Sequence, residues 1–517
     1  MTMLGYTLFT PPGRYPRPRS FPMKYVAPPH PRAVAALLLA TVGTALSALV
    51  ALLLLVALSA AMHAALGAQI SSGQPGITRT PTPIDTLPAD TLPVAPPSSA
   101  EWAVHALGTQ INVIGQDLRP VKSPYSSTNS LRARGDTKIS HAYGAYVGVQ
   151  AGNRLQGYLD IEMIRGKGVS SVTGLAGPTN GDVLRQGTFD LGNGPYVARA
   201  FIRYTVPLGS ADQDTLQRGI DQLSGVVSKR RLEITAGKLA ASDLFDLNRY
   251  ANTTRQQFLN WDLFNNTAWD FAADTRGYSN GVALAWIHSL WTLRVGSFQM
   301  PTVANGNKFD SDLRRARGDQ VELTLMAPRT GTVGRFLSYI NHGRMGNYVE
   351  ALAKARATNT TPDIATDGQA GRSKYGWGLN VEQPLADGGE TGAFARVGWS
   401  DGKNESFVFT EVDRHASAGF QISGVHWGRR DDRIGIAGVR TGIVQGHRDY
   451  LNAGGLGFLL GDGRLNYGPE QIAETYYRAQ MGRYFQVSPD VQYIRNPGYN
   501  RDRGPATVIS LRVNLRY

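Results

Sequence analysis

The sequence predicts an all-β fold, a transmembrane antiparallel β-barrel of sixteen strands with long extracellular loops and short periplasmic turns. Three observations predict it. Polar and apolar residues alternate along many short segments, as in strands that face lipid on one side and water on the other. Long and short connections between these segments alternate along the chain. No second run of about 20 apolar residues follows Glu101, which excludes a bundle of membrane-spanning helices.

Residues 1–68 are predicted to be a basic N-terminus followed by an apolar signal segment. The tract 33–68 is almost wholly apolar and polar sequence follows it, which is the order of a secretory signal. Small residues suited to a signal peptidase lie at 59–61 and at 66–68. Because the tract is also long enough to span a bilayer, a retained membrane anchor is the alternative. The chain is expected to be exported.

Residues 69–100 are rich in proline, serine and threonine and follow neither the helical nor the strand period. Such a composition buries too little apolar area to offset the entropy lost on ordering. We therefore predict a flexible linker at 69–100 and a barrel domain at 101–517.

The C-terminal segment shows the strand pattern clearly. Ile509, Leu511 and Leu515 fall on one face, while Arg512 and Asn514 fall on the other. The same alternation and the turn signals predict sixteen strands, an even number as single-chain bacterial barrels require. They are placed at 102–115, 139–150, 153–165, 197–206, 230–241, 278–287, 291–300, 319–327, 334–343, 374–385, 391–401, 415–430, 432–445, 470–481, 483–495 and 506–517.

The connections between the predicted strands alternate in length. Those after odd-numbered strands are long and include 116–138, 166–196, 242–277, 344–373 and 446–469, whereas 151–152, 288–290 and 386–390 are short. Membrane barrels sort their connections in this way because large loops lie at the outer rim and tight turns at the periplasmic rim. The connection 207–229 breaks the rule, and we predict a small helix around residues 214–227.

The third long connection, 242–277, is dense in aromatic and amide side chains. Such a segment would be poorly soluble as a free external loop, so we predict that it folds into the lumen and narrows it. The alternative is that it caps the rim or packs on a neighbouring loop. Aromatic faces beside polar donors suit sugars, whose C–H faces stack on rings while their hydroxyls form hydrogen bonds.

Strand parity predicts a set of charged side chains that point into the barrel. For any single one, pairing with a neighbour across the wall is the simpler role, but together they predict a water-filled lining of net positive charge. They are Arg199, Arg203, Glu233, Lys238, Arg294, Glu322, Arg396, Asp490, Arg512 and Arg516.

Nothing in the sequence indicates catalysis, a metal or a cofactor. The chain has no cysteine, its nine histidines show no metal-ligand spacing, and neither a phosphate-binding loop nor a nucleophile elbow is present. Asp160 and Glu162 share one face of a strand and are predicted to be lumen charges. The net charge of +13 is dispersed rather than gathered in basic runs, which argues against a nucleic-acid partner.

Several motifs in order resemble the carbohydrate-selective porin family, the OprB-type porins, from about Trp102 to Tyr517. They are SPYSS at 123–127 with NSL at 129–131, GK at 237–238, DLFDLN at 243–248, QFLNW at 257–261 with NN at 265–266, ETYY at 474–477, DVQYIRNPG at 490–498 and RGP at 503–505. The resemblance implies a sixteen-stranded barrel, narrowed by inward loops, that passes glucose and similar sugars. On matching positions it implies a constriction neighbourhood of Lys238, Asp243, Asp246, Asn248 and Trp261.

The leading functional hypothesis is passive diffusion of small hydrophilic solutes, above all sugars, across an outer membrane. The alternatives are an anion-selective or other substrate-selective channel, favoured by the positive charge, and an outer-membrane enzyme or adhesin that acts through its external loops. The expected partners are the solute, outer-membrane lipid and the barrel assembly machinery, which would bind the C-terminal aromatic Tyr517. Monomer and trimer both remain open.

Overall fold

The computed structural model describes residues 102–183, 191–192, 194–209, 212–407 and 411–517. The N-terminal segment predicted at 1–68 and the linker predicted at 69–100 lie outside the described residues.

Sixteen of the described strands close an antiparallel barrel, in which each strand pairs with the next along the chain and the first pairs with the last. This confirms the predicted fold class. Two further strands, β5 and β6, form a separate hairpin between β4 and β7. The strands are β1 Trp102–Leu118, β2 Asp136–Ala151, β3 Leu155–Gly166, β4 Tyr196–Pro207, β5 Gln213–Leu216, β6 Gly225–Ser228, β7 Arg231–Leu239, β8 Ser279–Ile287, β9 Trp291–Gln299, β10 Arg317–Met326, β11 Val333–Met345, β12 Gln369–Ala386, β13 Thr391–Ser400, β14 Arg414–Ser423, β15 Arg433–Gly442, β16 Glu470–Met481, β17 Phe485–Arg495 and β18 Ala506–Arg516.

Helices occur only between strands in the part of the chain that is described. The α-helices are α1 Trp261–Phe264, α2 Tyr348–Thr358 and α3 Gln445–Asn452, and the 3-10 turns are Val169–Val172, Ala241–Asp243, Ala365–Asp367, Asp387–Gly389, Gly424–Trp427 and Pro497–Tyr499. Among the described residues, no helix has both the length and the apolar character needed to cross a bilayer.

The two faces of the wall differ as the alternation predicts. On β18 the side chains of Leu511 and Leu515 are exposed, whereas those of Arg512 and Asn514 are buried inside the barrel. The pattern recurs on other strands. Apolar side chains that are exposed on the outside match a wall in lipid, because their transfer from water into hydrocarbon is favourable.

Connections at one rim are longer than those at the other, with 208–230 as the exception that the sequence also showed. At the extracellular rim they are L1 119–135, L2 167–195, L3 240–278, L4 300–316, L5 346–368, L6 401–413, L7 443–469 and L8 496–505, and at the periplasmic rim they are 152–154, 208–230, 288–290, 327–332, 387–390, 424–432 and 482–484. The rims are assigned by the rule that periplasmic turns are short.

Two local predictions were wrong. The helix expected around 214–227 is a hairpin of β5 and β6, because its β-branched Thr215, Val226 and Val227 favour paired strands. We call residues 213–228 the periplasmic hairpin. The strand expected at 415–430 ends at Ser423, because the chain turns there through a 3-10 turn into Gly428, whose φ is 76°.

Candidate functional site

L3 lies inside the barrel, as its aromatic composition predicts. It accepts hydrogen bonds from inward side chains on opposite parts of the wall: Arg199 on β4, Arg396 on β13 and Arg512 on β18. A loop held from three such directions crosses the lumen and leaves less of its cross-section open.

The first anchor of L3 is Asp246, which has a left-handed backbone with φ of 57°. Its carboxylate lies 3.2 Å from Nε of Arg396 and accepts a hydrogen bond of 2.7 Å from Nδ2 of Asn380. Arg396 is completely buried and also donates to the carbonyl oxygen of Leu263 at 3.1 Å. The Asp246 amide donates to Glu322 at 2.7 Å. This network fixes the descending part of L3 to β10, β12 and β13.

The second anchor lies further round the wall, on β16, β17 and β18. Arg512 donates to the carbonyl oxygen of Gln257 at 2.7 Å, and Glu474 accepts from the amide of Asn260 at 3.0 Å. The Asn260 side chain also donates to Gln492 at 3.0 Å. Backbone groups of a loop that would otherwise lose water are therefore satisfied by wall side chains.

L2 packs behind L3 and supports it. The amide of Trp261 donates to the carbonyl oxygen of Pro178 at 3.0 Å, and the amide of Gly181 donates to that of Leu259 at 2.9 Å. Asn260 caps α1 by accepting from the amide of Asp262 at 3.0 Å. Burial raises the pKa of Asp262 well above its usual range, and the nearby charge of Glu470 adds to the shift.

Two wall glycines let L3 approach β12 and β13 closely. Gly378 and Gly398 are direct cross-strand partners. A Cβ built on Gly378 would lie 2.2 Å from Nδ2 of Asn266, and one built on Gly398 would lie 2.0 Å from its Oδ1. Because glycine has no side chain, these two positions leave the space that Asn266 of L3 occupies.

Replacing Gly398 by valine is expected to push L3 off the wall. Overpacking of this kind costs about 1–3 kcal/mol, so the temperature at which the barrel unfolds on heat-modifiability gels should fall and single-channel conductance should change. Gly334→Val on β11 is the matched control, because a Cβ there meets nothing within 4 Å. If the Gly398→Val protein matches the control in both measurements, L3 does not pack closely against the wall at Gly398.

Arg199 is the centre of an accessible charged cluster on the side of L3 that faces β3 and β4. It binds Asp243 of L3 through two hydrogen bonds of 2.7 Å, and it lies 3.3 Å from Asp160 of β3 and 3.4 Å from Asp221 of the periplasmic hairpin. The side chains of Arg199 and Asp243 are 16% and 25% exposed, whereas that of Arg396 is 0% exposed. Water can therefore reach Arg199 but not Arg396.

A second arginine, Arg255 of L3, reaches from the loop to the wall. It lies 3.0 Å from Glu162 of β3 and 2.8 Å from Asp182 of L2, and it donates to the hydroxyl of Tyr146 at 3.0 Å. Its side chain is 16% exposed. Arg255 thus links L2, L3 and the wall without being sealed from solvent.

A cavity of about 170 Å³ lies between L2, L3 and the wall. Charged and aromatic side chains line it together: Glu162, Asp182, Tyr196, Arg199, Asp243, Arg255, Trp261, Phe271, Arg276 and Tyr278. The guanidinium of Arg199 lies 5.2 Å from the ring centroid of Tyr278. Donors, acceptors and ring faces therefore converge on one solvent-accessible space.

Further accessible charges lie toward the periplasm. The guanidinium of Arg203 lies 5.2 Å from the ring centroid of Tyr158 and donates to Gln222 at 3.1 Å. Glu233 and Arg294 are 18% and 17% exposed. Charged groups thus continue from the cavity down β4, β7 and β9.

The predicted site residues fall into three groups. Arg199, Arg203, Glu233, Asp243, Trp261 and Arg294 lie at or below the cavity. A second group is enclosed and holds L3 or pairs within the wall: Asp246, Asn248, Glu322, Arg396, Asp490 and Arg512. Arg516, predicted only from parity, is also enclosed.

Lys238 forms the third group, and its predicted inward position was wrong. It pairs with Ala200 and Asn280, both of which are exposed, and its Nζ donates to the carbonyl oxygen of Val197 at 2.9 Å. Direct cross-strand partners share a face, so Lys238 lies on the outside of the wall. The register explains this, because Glu233 is an odd number of positions away and faces inward.

Sequence reasoning missed Arg255, Asn380, Glu474 and Asp221. The available signal for Arg255 was a basic residue within a loop dense in aromatic and amide side chains. Asp221 lies in the connection that broke the length rule, and that departure was a signal for an inserted element. In the part of the chain that the structure describes, no group of three or more His, Asp or Glu side chains could hold a metal ion.

The sequence profile of the OprB family, described as carbohydrate-selective porins, matches residues 126–517. The chain belongs to this family. Its barrel is similar to the high-pH structure of Pseudomonas putida OprB, with a TM-score of 0.57 and 14% identity over 80% of this chain and 94% of that one. It is less similar to the anion-selective porin from Comamonas acidovorans, with a TM-score of 0.43 and 9% identity over 81% and 100% of the two chains. A comparison with curated protein sequences finds no match.

Membership of the OprB family makes this chain an outer-membrane channel protein. The wall with its apolar outer face is the membrane-spanning part, and the lumen, into which L2 and L3 fold, is the channel. The family and the fold are those of a channel rather than of an enzyme.

Proposed function

We propose that this OprB-family porin passes small carbohydrates of about the size of glucose by passive diffusion, and that the cavity between L2 and L3 selects them. The observation that carries the proposal is the convergence of Arg199 and Arg255 with the rings of Tyr196, Tyr278 and Trp261 around that cavity. The description of the OprB family as carbohydrate-selective porins supports the same substrate class.

The chemistry of the cavity suits a sugar. Arg199 and Arg255 are fixed by carboxylates and still partly exposed, so their remaining N–H groups can donate to hydroxyls. Asp243 and Asp182 offer acceptors to the hydroxyl protons, and the aromatic rings offer faces to the C–H groups. An anion would gain little from the ring faces, whereas a sugar uses both kinds of group.

A second candidate, anion selectivity, is favoured by one observation in the periplasmic half. Arg433 and Arg478 are direct cross-strand partners and both face the lumen. Like charges placed opposite each other are unfavourable in isolation. Arg433 binds Glu390, but that carboxylate is shared with Arg249, so the positive charge is not fully offset.

Planar-bilayer recording separates the two candidates. Glucose added to channels in potassium chloride is expected to reduce the ion current in a saturable way, at concentrations at which phosphate has a smaller effect. Saturable block by phosphate together with insensitivity to glucose would favour the anion channel instead. A folded barrel that produces no current would remove both candidates and favour an enzyme or adhesin at the extracellular loops.

Assembly is proposed to use the terminal aromatic. Tyr517 is 70% exposed and its backbone is paired with Thr109 of β1, so its ring is available to the barrel assembly machinery. The apolar outer wall is proposed to contact lipid in a monomer or a trimer.

A further inference from the structure

The periplasmic hairpin does not project away from the barrel. β5 and β6 pair from Gln213 with Ser228 to Leu216 with Gly225, and Gly219 bridges Gln222 nearer the tip. At the same rim, the other described connections are much shorter. The additional residues of this connection therefore form a defined hairpin. We call residues 217–224 its tip.

The apolar side chains of the tip are buried against the inner wall. Ile220 and Leu223 are 8% and 4% exposed and belong to one cluster with Leu107, Tyr158 and Phe201. A Cβ built on Gly148 of β2 would lie 3.0 Å from Cδ2 of Leu223. These contacts place the tip inside the lumen, beside β1 to β4.

The polar side chains of the tip reach the accessible charged cluster. Oδ2 of Asp221 lies 3.4 Å from Nε of Arg199, and Arg203 donates to Gln222 at 3.1 Å. Arg199 is the fourth residue of β4 from its extracellular end. A segment that starts at the periplasmic rim thus meets the same arginine that Asp243 of L3 binds from the other side.

The hairpin is held at several points. Near its base, Asp214 lies 3.5 Å from Nη1 of Arg231. Arg218 at the tip donates to the carbonyl oxygen of Ala106, next to the β-bulge between Ala106 and Gly108. The amide of Leu223 donates to the hydroxyl of Tyr158 at 3.3 Å. Its position in the lumen is therefore specified by side-chain contacts along its length.

We propose that the tip of the periplasmic hairpin is part of the selectivity constriction, and that Asp221 is a solute-contacting carboxylate supplied from the periplasmic side. The side chain of Asp221 is 26% exposed, so solvent reaches it beside Arg199. The narrow part of the path is then bounded by L3 from above and by the hairpin from below. The proposal rests on the channel function and adds a specificity residue that the extracellular loops do not provide.

Thiol labelling tests the proposal, because the chain contains no cysteine of its own. In Asp221→Cys channels, charged methanethiosulfonate reagents are expected to react and to lower single-channel conductance. A negatively charged adduct should shift the reversal potential toward cations, and a positively charged adduct should shift it toward anions. Val226→Cys on β6, 60% exposed and away from the tip, is the matched control and should react without changing either quantity.

Asp221→Asn provides a second variant that keeps the shape of the side chain, and heat-modifiable mobility shows whether each variant folds. The Asp221→Asn substitution is expected to shift the reversal potential toward the value for anions, because a lumen carboxylate becomes neutral. Modification of Asp221→Cys without a change in current, or an unchanged reversal potential in folded Asp221→Asn, would overturn the role of the hairpin while leaving the channel intact. Failure of the unsubstituted protein to conduct would overturn the channel function and this proposal with it.

Discussion

Arg199→Ala channels are expected to lose most of their affinity for sugar and to become more cation-selective. The substitution leaves Asp160, Asp221 and Asp243 without the guanidinium that they share. A lost hydrogen bond to a charged group costs about 1.5–3 kcal/mol, so the glucose concentration that halves the current should rise at least about tenfold. The reversal potential in a salt gradient should move toward the value for cations.

Two further variants separate charge from geometry. Arg199→Lys keeps the charge but cannot form the two parallel hydrogen bonds to Asp243. It should keep the reversal potential of the unsubstituted channel and still bind sugar more weakly. Arg440→Ala, on the outer face of β15, should change neither measurement. Equal behaviour of Arg199→Ala and Arg440→Ala would show that Arg199 does not line the solute path.

Arg396→Ala barrels are expected to be markedly less stable and to conduct more. Removing one partner of a buried ion pair costs about 3–5 kcal/mol, and here the carbonyl oxygens of Leu263 and Ala251 also lose their donor. L3 should then leave the wall, because Asp246 is its anchor on β13. The barrel should unfold at a lower temperature on heat-modifiability gels, and single channels should show larger and noisier currents.

The control for this substitution is another arginine in an ion pair. Arg314 binds Asp312 in L4, but its side chain is 89% exposed. Exposed pairs contribute little to stability, so Arg314→Ala should unfold and conduct like the unsubstituted protein. An Arg396→Ala barrel that also retained both properties would refute the anchoring role, and the enclosed arginines would then need another explanation.

The wall was predictable because its signal is local. A strand repeats every two residues, and in a membrane barrel lipid and water impose opposite demands on alternate positions. Fifteen of the sixteen wall strands were therefore placed to within five residues at each end, and the burial of Asp160 and Glu162 follows from the same alternation. The strand predicted at 415–430 extended past Ser423. Apolar residues continue into the turn, so the alternation of polar and apolar residues does not show where the strand ends.

The site was less predictable because its contacts join distant parts of the chain. Asp246 and Asn380, which form one anchor, are 134 positions apart. Arg255 follows no period within L3, and its partners Glu162 and Asp182 lie in other segments. Lys238 was placed inward although the register with Ala200 and Asn280 puts it outside. The hairpin at 213–228 was predicted as a helix although its β-branched residues favour strands, and its position in the lumen depends on tertiary contacts.

The sequence by itself determined the membrane barrel and the direction in which most side chains point, and it favoured an inward path for the third loop without excluding a position at the rim. Only the tertiary structure decided which inward charges water can reach. Arg199 and Arg396 both point into the barrel, but L3 packs over Arg396 and leaves Arg199 exposed to water. Strand alternation sets the direction of a side chain, whereas its access to solvent depends on what folds across it from elsewhere in the chain.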